Sequence, residues 1–422
     1  MTQKQAEAPH EPTEPNNGMN RWGGLAILAL LAFFNYLSRN MIYPLFDLIG
    51  KDLRIKEGKM GLLGSGFYGV YAFSAPVLGY LSDRMSRKSI ILMMLIAWTL
   101  STVGSGLAPS FVVLLICVSL TGLGEGGYFP TALSLIGDFF GKASRGRAIA
   151  IMGASNTLGG AGGLAVGGAL GQAHGWRVPY VGAIIPGALL ALLTWAVFRE
   201  PPRDSDSPGL KKATPPGGRL NAYLRMVTSV PVMIIAAASA MAGYAMNGPN
   251  TFFAKFAKDR LGVSVQGSGL SASVGYGATM IGQFGGGFLS DWLSRIAGSR
   301  PLLVALAYLG AMPVFLALPH VGAIGSATFL YALTQVGRGF AEPNFYGTIL
   351  DAVPARDRGA AQGFMLMLTF GGATLSPTVT GYLIEKLGWT TAWYHLALSS
   401  AAAGTLAALL FIRMRRQSSS VA

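Results

Sequence analysis

One carboxylate interrupts an otherwise apolar run, in Gly122-Leu123-Gly124-Glu125-Gly126-Gly127-Tyr128-Phe129-Pro130. Counted at the rise of a helix, Glu125 lies roughly 21 Å from the start of that run near Ser110 and about 16 Å from its other end, beyond reach of water at either side. An ionisable group at that depth costs about 2.5–3.5 kcal/mol to insert, so it faces a cavity or a partner and not acyl chains. The chemistry open to it is proton uptake and release or contact with a substrate; the plainer alternative is a structural ion pair. Two arginines also stand within apolar runs. Arg39 follows Asn35-Tyr36-Leu37-Ser38 in the first apolar run, where three readings stay open: snorkelling to an interface about 10 Å away, an internal salt bridge, or contact with an anionic substrate. Arg338 stands about 23 Å into a later run, with Glu342 at i+4, so either the two neutralise each other locally or both belong to a substrate or proton site. Tyr128, Asn156, Asn247, Gln283, Gln335 and Asn344 are further polar positions in apolar surroundings. Each lines such a site or hydrogen-bonds a neighbouring helix.

Such residues need membrane helices to hold them. The chain has 422 residues, of which 51% are hydrophobic and only 12% charged, against about 25% charged in an ordinary soluble protein. That length accommodates about a dozen spanning helices with short loops. The apolar runs are continuous, which excludes the alternating pattern of a membrane barrel. A net charge of +14 would suit a nucleic-acid binder, but the Lys and Arg residues fall between apolar runs and not on one soluble face. With the N-terminus inside, about 21 of the 32 Lys and Arg residues lie on the inner side, as the positive-inside rule asks. Cys117 is alone and within a run, and His10, His174, His320 and His395 have no paired spacing, so neither a metal nor a cofactor is expected. No run holds a His–carboxylate arrangement, which argues against an enzyme.

Residues 1–20 are expected to be a disordered inner tail, 21–198 a first bundle of six helices, 199–229 a Pro-, Gly- and charge-rich inner linker, 230–413 a second bundle of six, and 414–422 an inner tail. Asp138 closes the fourth run beside the basic stretch Lys142–Arg147, with Arg84, Arg145 and Arg147 as its possible partners. The fifth run carries Gly153, Gly159, Gly160, Gly162, Gly163, Gly167 and Gly168, at spacings that let helix backbones meet. The stretch Gly79-Tyr80-Leu81-Ser82-Asp83-Arg84-Met85-Ser86-Arg87-Lys88 is repeated by Gly287-Phe288-Leu289-Ser290-Asp291-Trp292-Leu293-Ser294-Arg295, and Asp138 with Arg145-Gly146 by Asp351 with Arg358-Gly359. By the latter offset Arg338 is the counterpart of Glu125.

The loop at Gly79 resembles the signature between the second and third helices of the major facilitator superfamily. That resemblance implies an all-α membrane protein of 12 transmembrane helices in two pseudo-symmetric six-helix bundles, with the site between them at mid-membrane. It also implies an inner gate of Gly79, Asp83, Arg84, Arg87, Asp138, Arg145, Asp291 and Arg295. Within the superfamily, Asn35-Tyr36 with Arg39, the stretch at Glu125, Asp138-Phe139-Phe140 and Gly175-Trp176-Arg177 with Arg199-Glu200-Pro201-Pro202 resemble the Spinster-type branch; the anion:cation symporter branch shares much of this pattern. Both branches usually place Asp before the first-span Arg, where this chain has Ser38, and many relatives carry Arg where it has Val118. Glu125 is then left to carry the proton alone. The antiporter signature's Gly-Pro pair is missing from the fifth run.

The resemblance therefore implies a secondary transporter working by alternating access, monomeric and multi-pass in the cell membrane (the inner membrane in a Gram-negative cell), with both termini cytoplasmic. Its partners are protons, lipid and a lipid-like or small-molecule substrate: an anionic or zwitterionic amphiphile, or an organic anion. Glu125, Arg39, Arg338, Glu342, Asn35, Tyr36, Tyr128, Asn156, Asn247 and Gln335 are the expected proton and substrate site. The alternatives are symporter-type uptake of a small organic acid and a non-transporting sensor of the same fold.

Overall fold

The computed structural model describes residues 21–82, 85–200, 225–293, 299–354 and 357–419. They form α1 (Arg21–Asn40), α2 (Phe46–Leu53), α3 (Glu57–Ser82), α4 (Arg87–Gly106), α5 (Phe111–Gly126), α6 (Tyr128–Phe139), α7 (Lys142–His174), α8 (Arg177–Gly182), α9 (Ile184–Val197), α10 (Val230–Leu261), α11 (Val265–Gly277), α12 (Thr279–Trp292), α13 (Ser299–Ala317), α14 (Ile324–Asp351) and α15 (Arg358–Ser419). Four passes are broken into two pieces each, namely α1 with α2, α5 with α6, α8 with α9 and α11 with α12. Conversely, α15 is two passes, split at Gly388, whose φ of +83° no other residue type adopts readily. The twelve-helix expectation is met in that form. Eight stretches among the described residues are long and apolar enough to cross a membrane by length and composition. Of the passes outside that set, α3 and α11 with α12 are diluted by Gly, Ser and Tyr, and α14 by Arg338 and Glu342.

Local chemistry sets the helix ends. Ser86, Ser110 and Ser264 cap α4, α5 and α11 by accepting from the backbone N–H of Ser89, Val113 and Gly267. Gly175 (φ +83°) and Gly262 (φ +68°) stop α7 and α10. The even number of passes puts Arg21 and Ser419, the first and last described residues, at one face, the terminal face; the opposite one is the distal face.

Helix packing in lipid depends on close van der Waals fit. The fifth-run glycines supply it: Gly159, Gly163 and Gly167 of α7 face the carbonyl oxygens of Phe33 and Leu37 on α1 and of Met41 just after it, where any Cβ would overlap them. This fixes α1 against α7 and leaves Tyr36, Arg39 and Asn40 for the cavity. In the second half Gly282 of α12 and Gly339 of α14 meet Val336 and Thr279 in the same way.

The halves are joined on the distal side. Lys258 of α10 pairs with Asp47 of α2 at 3.1 Å, Lys255 pairs with Glu57 of α3 at 3.3 Å, and Gly58 N–H donates to Glu385 Oε2 at 3.2 Å. Below these, Thr378 donates to Ser65 Oγ, and Val265 N–H to Gln172 Oε1. At the terminal face Asp138 pairs with Arg87, a partner outside the three expected, and Arg145 instead donates to the carbonyls of Gly137 (2.8 Å) and Phe140 (3.2 Å). Arg300 pairs with Asp351 at 2.5 Å, over the same sequence separation of 51 residues as Arg87 and Asp138. By this pairing, the counterpart of Arg87 is Arg300, not Arg295 as the loop motif suggests. Asp83, Arg84 and Arg295 lie outside the described residues, as do the surroundings of Gly79 and Asp291, the tail 1–20, residues 201–224 of the linker and residues 420–422.

Candidate functional site

Between the halves, on the terminal side of the distal ion pairs, is a cavity of about 940 Å³, its open mouth included. Helical spacing brings its charged residues to one side of each helix: Tyr36, Arg39 and Asn40 on α1, and Arg338, Glu342, Phe345 and Tyr346 on α14. Tyr68 of α3, Asn247 and Asn250 of α10, Tyr276 of α11 and Tyr308 of α13 add to the polar lining, and Met246, Met365, Leu366 and Phe370 form an apolar flank.

Neither arginine is neutralised. The Arg39 guanidinium lies over the rings of Phe67 (4.4 Å), Tyr68 (4.7 Å) and Tyr36 (5.1 Å), an aromatic cage that holds a cation by its ring quadrupoles. Arg338 lies 5.7 Å from the Tyr276 ring centroid, and its Nη1 has no hydrogen-bond partner. Glu342 accepts from Gln283 Nε2 at 3.2 Å. Among the described residues no ion pair within 4.0 Å joins Arg338 to Glu342 or Arg39 to any carboxylate, so the local neutralisation and the internal salt bridge weighed above are not made.

Glu125 does not line this cavity. It sits at the end of α5 in a second pocket, of about 390 Å³ with its opening included, with Ser38, Arg39, Thr102, Ser105, Thr121 and Tyr180. It is 2% exposed, and neither carboxylate oxygen has a hydrogen-bond partner among the described residues. Arg39 belongs to both spaces, as the wall between them. Ser38, in the position where relatives place an acid, is committed elsewhere: it accepts from Trp98 Nε1 at 2.7 Å and donates to the Asn35 carbonyl at 2.9 Å.

Of the expected site residues, Arg39, Arg338, Glu342, Tyr36 and Asn247 share the central cavity, and Glu125 lies behind it. Four are elsewhere. Asn35 and Tyr128 line a narrow crevice inside the first half, where the Tyr128 hydroxyl donates to the Leu28 carbonyl and so ties α6 to α1. Asn156 is half-buried on α7, and it is the neighbouring Thr157 that hydrogen-bonds Gln283 across the halves at 3.3 Å. Gln335 is fully buried and donates to Asn250 Oδ1 at 2.8 Å, which also accepts from the Tyr331 hydroxyl at 2.9 Å. Asn344 donates to the Phe340 carbonyl one turn back. Sequence reasoning missed Asn250, Tyr68, Tyr276, Tyr308 and Tyr346, as well as Thr102 and Tyr180 around Glu125. Hydroxyls and tyrosines are common in spanning helices, and only their convergence marks these. No cluster of metal-binding side chains occurs among the described residues.

The family model described as Major Facilitator Superfamily matches residues 28–356 and 298–422. Among similar proteins, a hexuronate transporter of Bacillus subtilis is 27% identical over 92% of this chain and 94% of its own length. A probable sulfoacetate transporter of Cupriavidus necator is 27% identical over 91% of this chain and 92% of its own. Human protein spinster homolog 1 is 27% identical over 89% of this chain and 77% of its own, and the mouse sphingosine-1-phosphate transporter is 33% identical over 41% of this chain and 33% of its own. The crystal structure of a bacterial homolog of the human lysosomal transporter Spinster, inward-facing and unoccupied, superposes with a TM-score of 0.78 at 24% identity, covering 94% of this chain and 97% of the other.

Proposed function

This chain belongs to the Major Facilitator Superfamily, a family of transporters, and from that premise we propose that it is a proton-coupled secondary transporter of an anionic or zwitterionic amphiphile. The observation that carries this reading is the pair of unneutralised arginines, one from each half, turned into one cavity with an apolar flank. Two cations in a low-dielectric space attract a phosphate or carboxylate headgroup strongly. Glu342 on the same wall suits the amine of a zwitterion, and Met246, Met365, Leu366 and Phe370 suit a chain. The Spinster-type relatives, one of them named for a phosphorylated amphiphile, support the same class.

Coupling runs through Arg39, which touches both spaces. When Glu125 is ionised, its charge competes with the substrate for the guanidinium; when it is protonated, Arg39 is free for the anion. Alternating access then follows from population shift, because ligand and proton favour one packing of the halves over the other. The terminal face is cytoplasmic by the distribution of Lys and Arg, so the distal closure makes this an inward-facing arrangement. One chain suffices, since both arginines come from it.

A second reading, transport of a small organic acid, is favoured by the hexuronate and sulfoacetate relatives and by the tyrosine and asparagine lining. Proteoliposome uptake driven by a pH gradient tests both, with a lysophosphatidate in one arm and glucuronate in the other. Glu125→Gln is expected to abolish gradient-driven accumulation while leaving counterflow exchange. Equal gradient-driven flux in wild type and variant removes the carboxylate from coupling. Ligand-dependent stabilisation with no flux of any kind would make the protein a sensor.

A further inference from the structure

The pocket around Glu125 extends away from the substrate cavity. Thr102 and Ser105 lie on the last turns of α4 before Gly106, and Tyr180 lies on α8 just past Arg177. Arg177 is at the distal rim: it donates to the carbonyls of Gly106 (3.1 Å) and Ala108 (2.7 Å) and pairs with Asp52, which is about half exposed. The pocket thus runs from mid-membrane to just beneath the distal surface, entirely inside the first half. Ser105 and Thr121 spend their hydroxyls on the Ser101 and Val118 carbonyls. Thr102 Oγ1, the Tyr180 hydroxyl and both Glu125 oxygens, by contrast, are buried without a hydrogen-bond partner among the described residues, their residues 1%, 3% and 2% exposed. Buried polar atoms left unmatched are costly. All three residues line this pocket, whose water-sized space of about 20 Å³ is enough for about one water beside them.

We propose that this pocket is a separate proton branch, leading from the distal face to Glu125 and walled off from the substrate cavity by Arg39. Along it each hydroxyl or water accepts one proton and passes on another, so all end unchanged and the carboxylate becomes neutral. Arg39 is suited to the wall, because a fixed guanidinium repels an excess proton, as cationic side chains do in pores that exclude protons. The titratable or charged groups around Glu125 are Arg39 on α1, Tyr43 after it, Tyr71 on α3 beside Gly122, and Tyr180 on α8. This route rests on Glu125 being the proton carrier.

The test is a pH jump on the distal side of the full-length protein in proteoliposomes, followed by time-resolved infrared at the neutral carboxyl C=O stretch, with Glu125→Gln assigning the band. In the double variant Thr102→Val, Tyr180→Phe, the band is expected to rise about tenfold more slowly to the same final amplitude, since two hydrogen-bonding groups leave the relay. Thr102→Ser with Tyr180 intact, which keeps the hydroxyl, restores the rate and separates the effect from a folding defect. A Glu125-dependent band with unchanged kinetics in the double variant overturns the branch alone. No Glu125-dependent band in wild type overturns the coupling reading and the branch with it.

Discussion

Lys255→Met is the sharpest probe of the distal closure. Lys255 is buried on α10, with Glu57 of the other half at 3.3 Å and Asp259 of its own helix at 2.8 Å. Only the first of these pairs opposes separation of the halves. At 3.3 Å and an effective dielectric of 20 it amounts to about 5 kcal/mol of Coulomb attraction. Desolvation of the ammonium and the 23% exposure of the Glu57 side chain reduce the net effect to about 1–2 kcal/mol. Methionine keeps the stem's length and apolar contacts, so the loss falls on the closed arrangement and shifts the closed-to-open ratio about 5- to 30-fold. Spin labels at exposed positions 56 and 266, on a Cys117→Ser background, read the separation of the halves as a distance distribution. The longer-distance population is expected to grow in Lys255→Met, to grow as much in Glu57→Gln, and to grow little further in the double variant. Unchanged distributions in both single variants would refute the view that this ion pair holds the distal face shut.

Two further outcomes follow from packing and burial. Gly163→Val drives a Cβ into the Leu37 carbonyl and is expected to lower stability by about 1–3 kcal/mol in thermal unfolding; Gly153→Ala, where nothing lies within 4 Å, should be close to neutral. Of the two repeat-related terminal ion pairs, Arg87 with Asp138 is the more buried, at 9% and 13% side-chain exposure against 34% and 49% for Arg300 with Asp351. Arg87→Gln should therefore cost about 2–4 kcal/mol and Arg300→Gln under about 1 kcal/mol, measured by the same unfolding assay.

Depth was legible in the sequence, and direction was not. Helix rise alone placed Glu125 and Arg338 deep within their runs, because the stretches Phe111–Gly126 and Ile324–Asp351 that carry them are each one helix of known rise. The glycine spacing of the fifth run marked a backbone contact, and α7 meets α1 there. What side a polar residue faces depends on helix rotation, which apolar runs without amphipathic pattern leave open. Hence Tyr128 turned out to tie α6 to α1, Asn35 to line a crevice within the first half, and Gln335 to support Asn250, a residue with no sequence mark of its own. The partner of Asp138 shows the same limit. Among the described residues the helix ends bring it to Arg87, the motif arginine that starts α4, while Arg84 lies outside the described residues.

The repeat fixes the backbone and leaves the charges free to differ. Arg87 with Asp138 and Arg300 with Asp351 share one offset between the halves, and the same offset sets Glu125 against Arg338. One half therefore holds an anion and the other a cation at equivalent depth, yet the two do not face each other, since Glu125 is turned into its own half and Arg338 into the shared cavity. Had they met, they would have neutralised each other as a buried pair, with neither proton nor substrate having a charge to answer. Their separation, with Arg39 between, leaves each without an opposite charge within 4.0 Å among the described residues. Under the proposed function, the symmetric scaffold supplies the hinge, and the broken symmetry of its charges would couple two ligands to one movement.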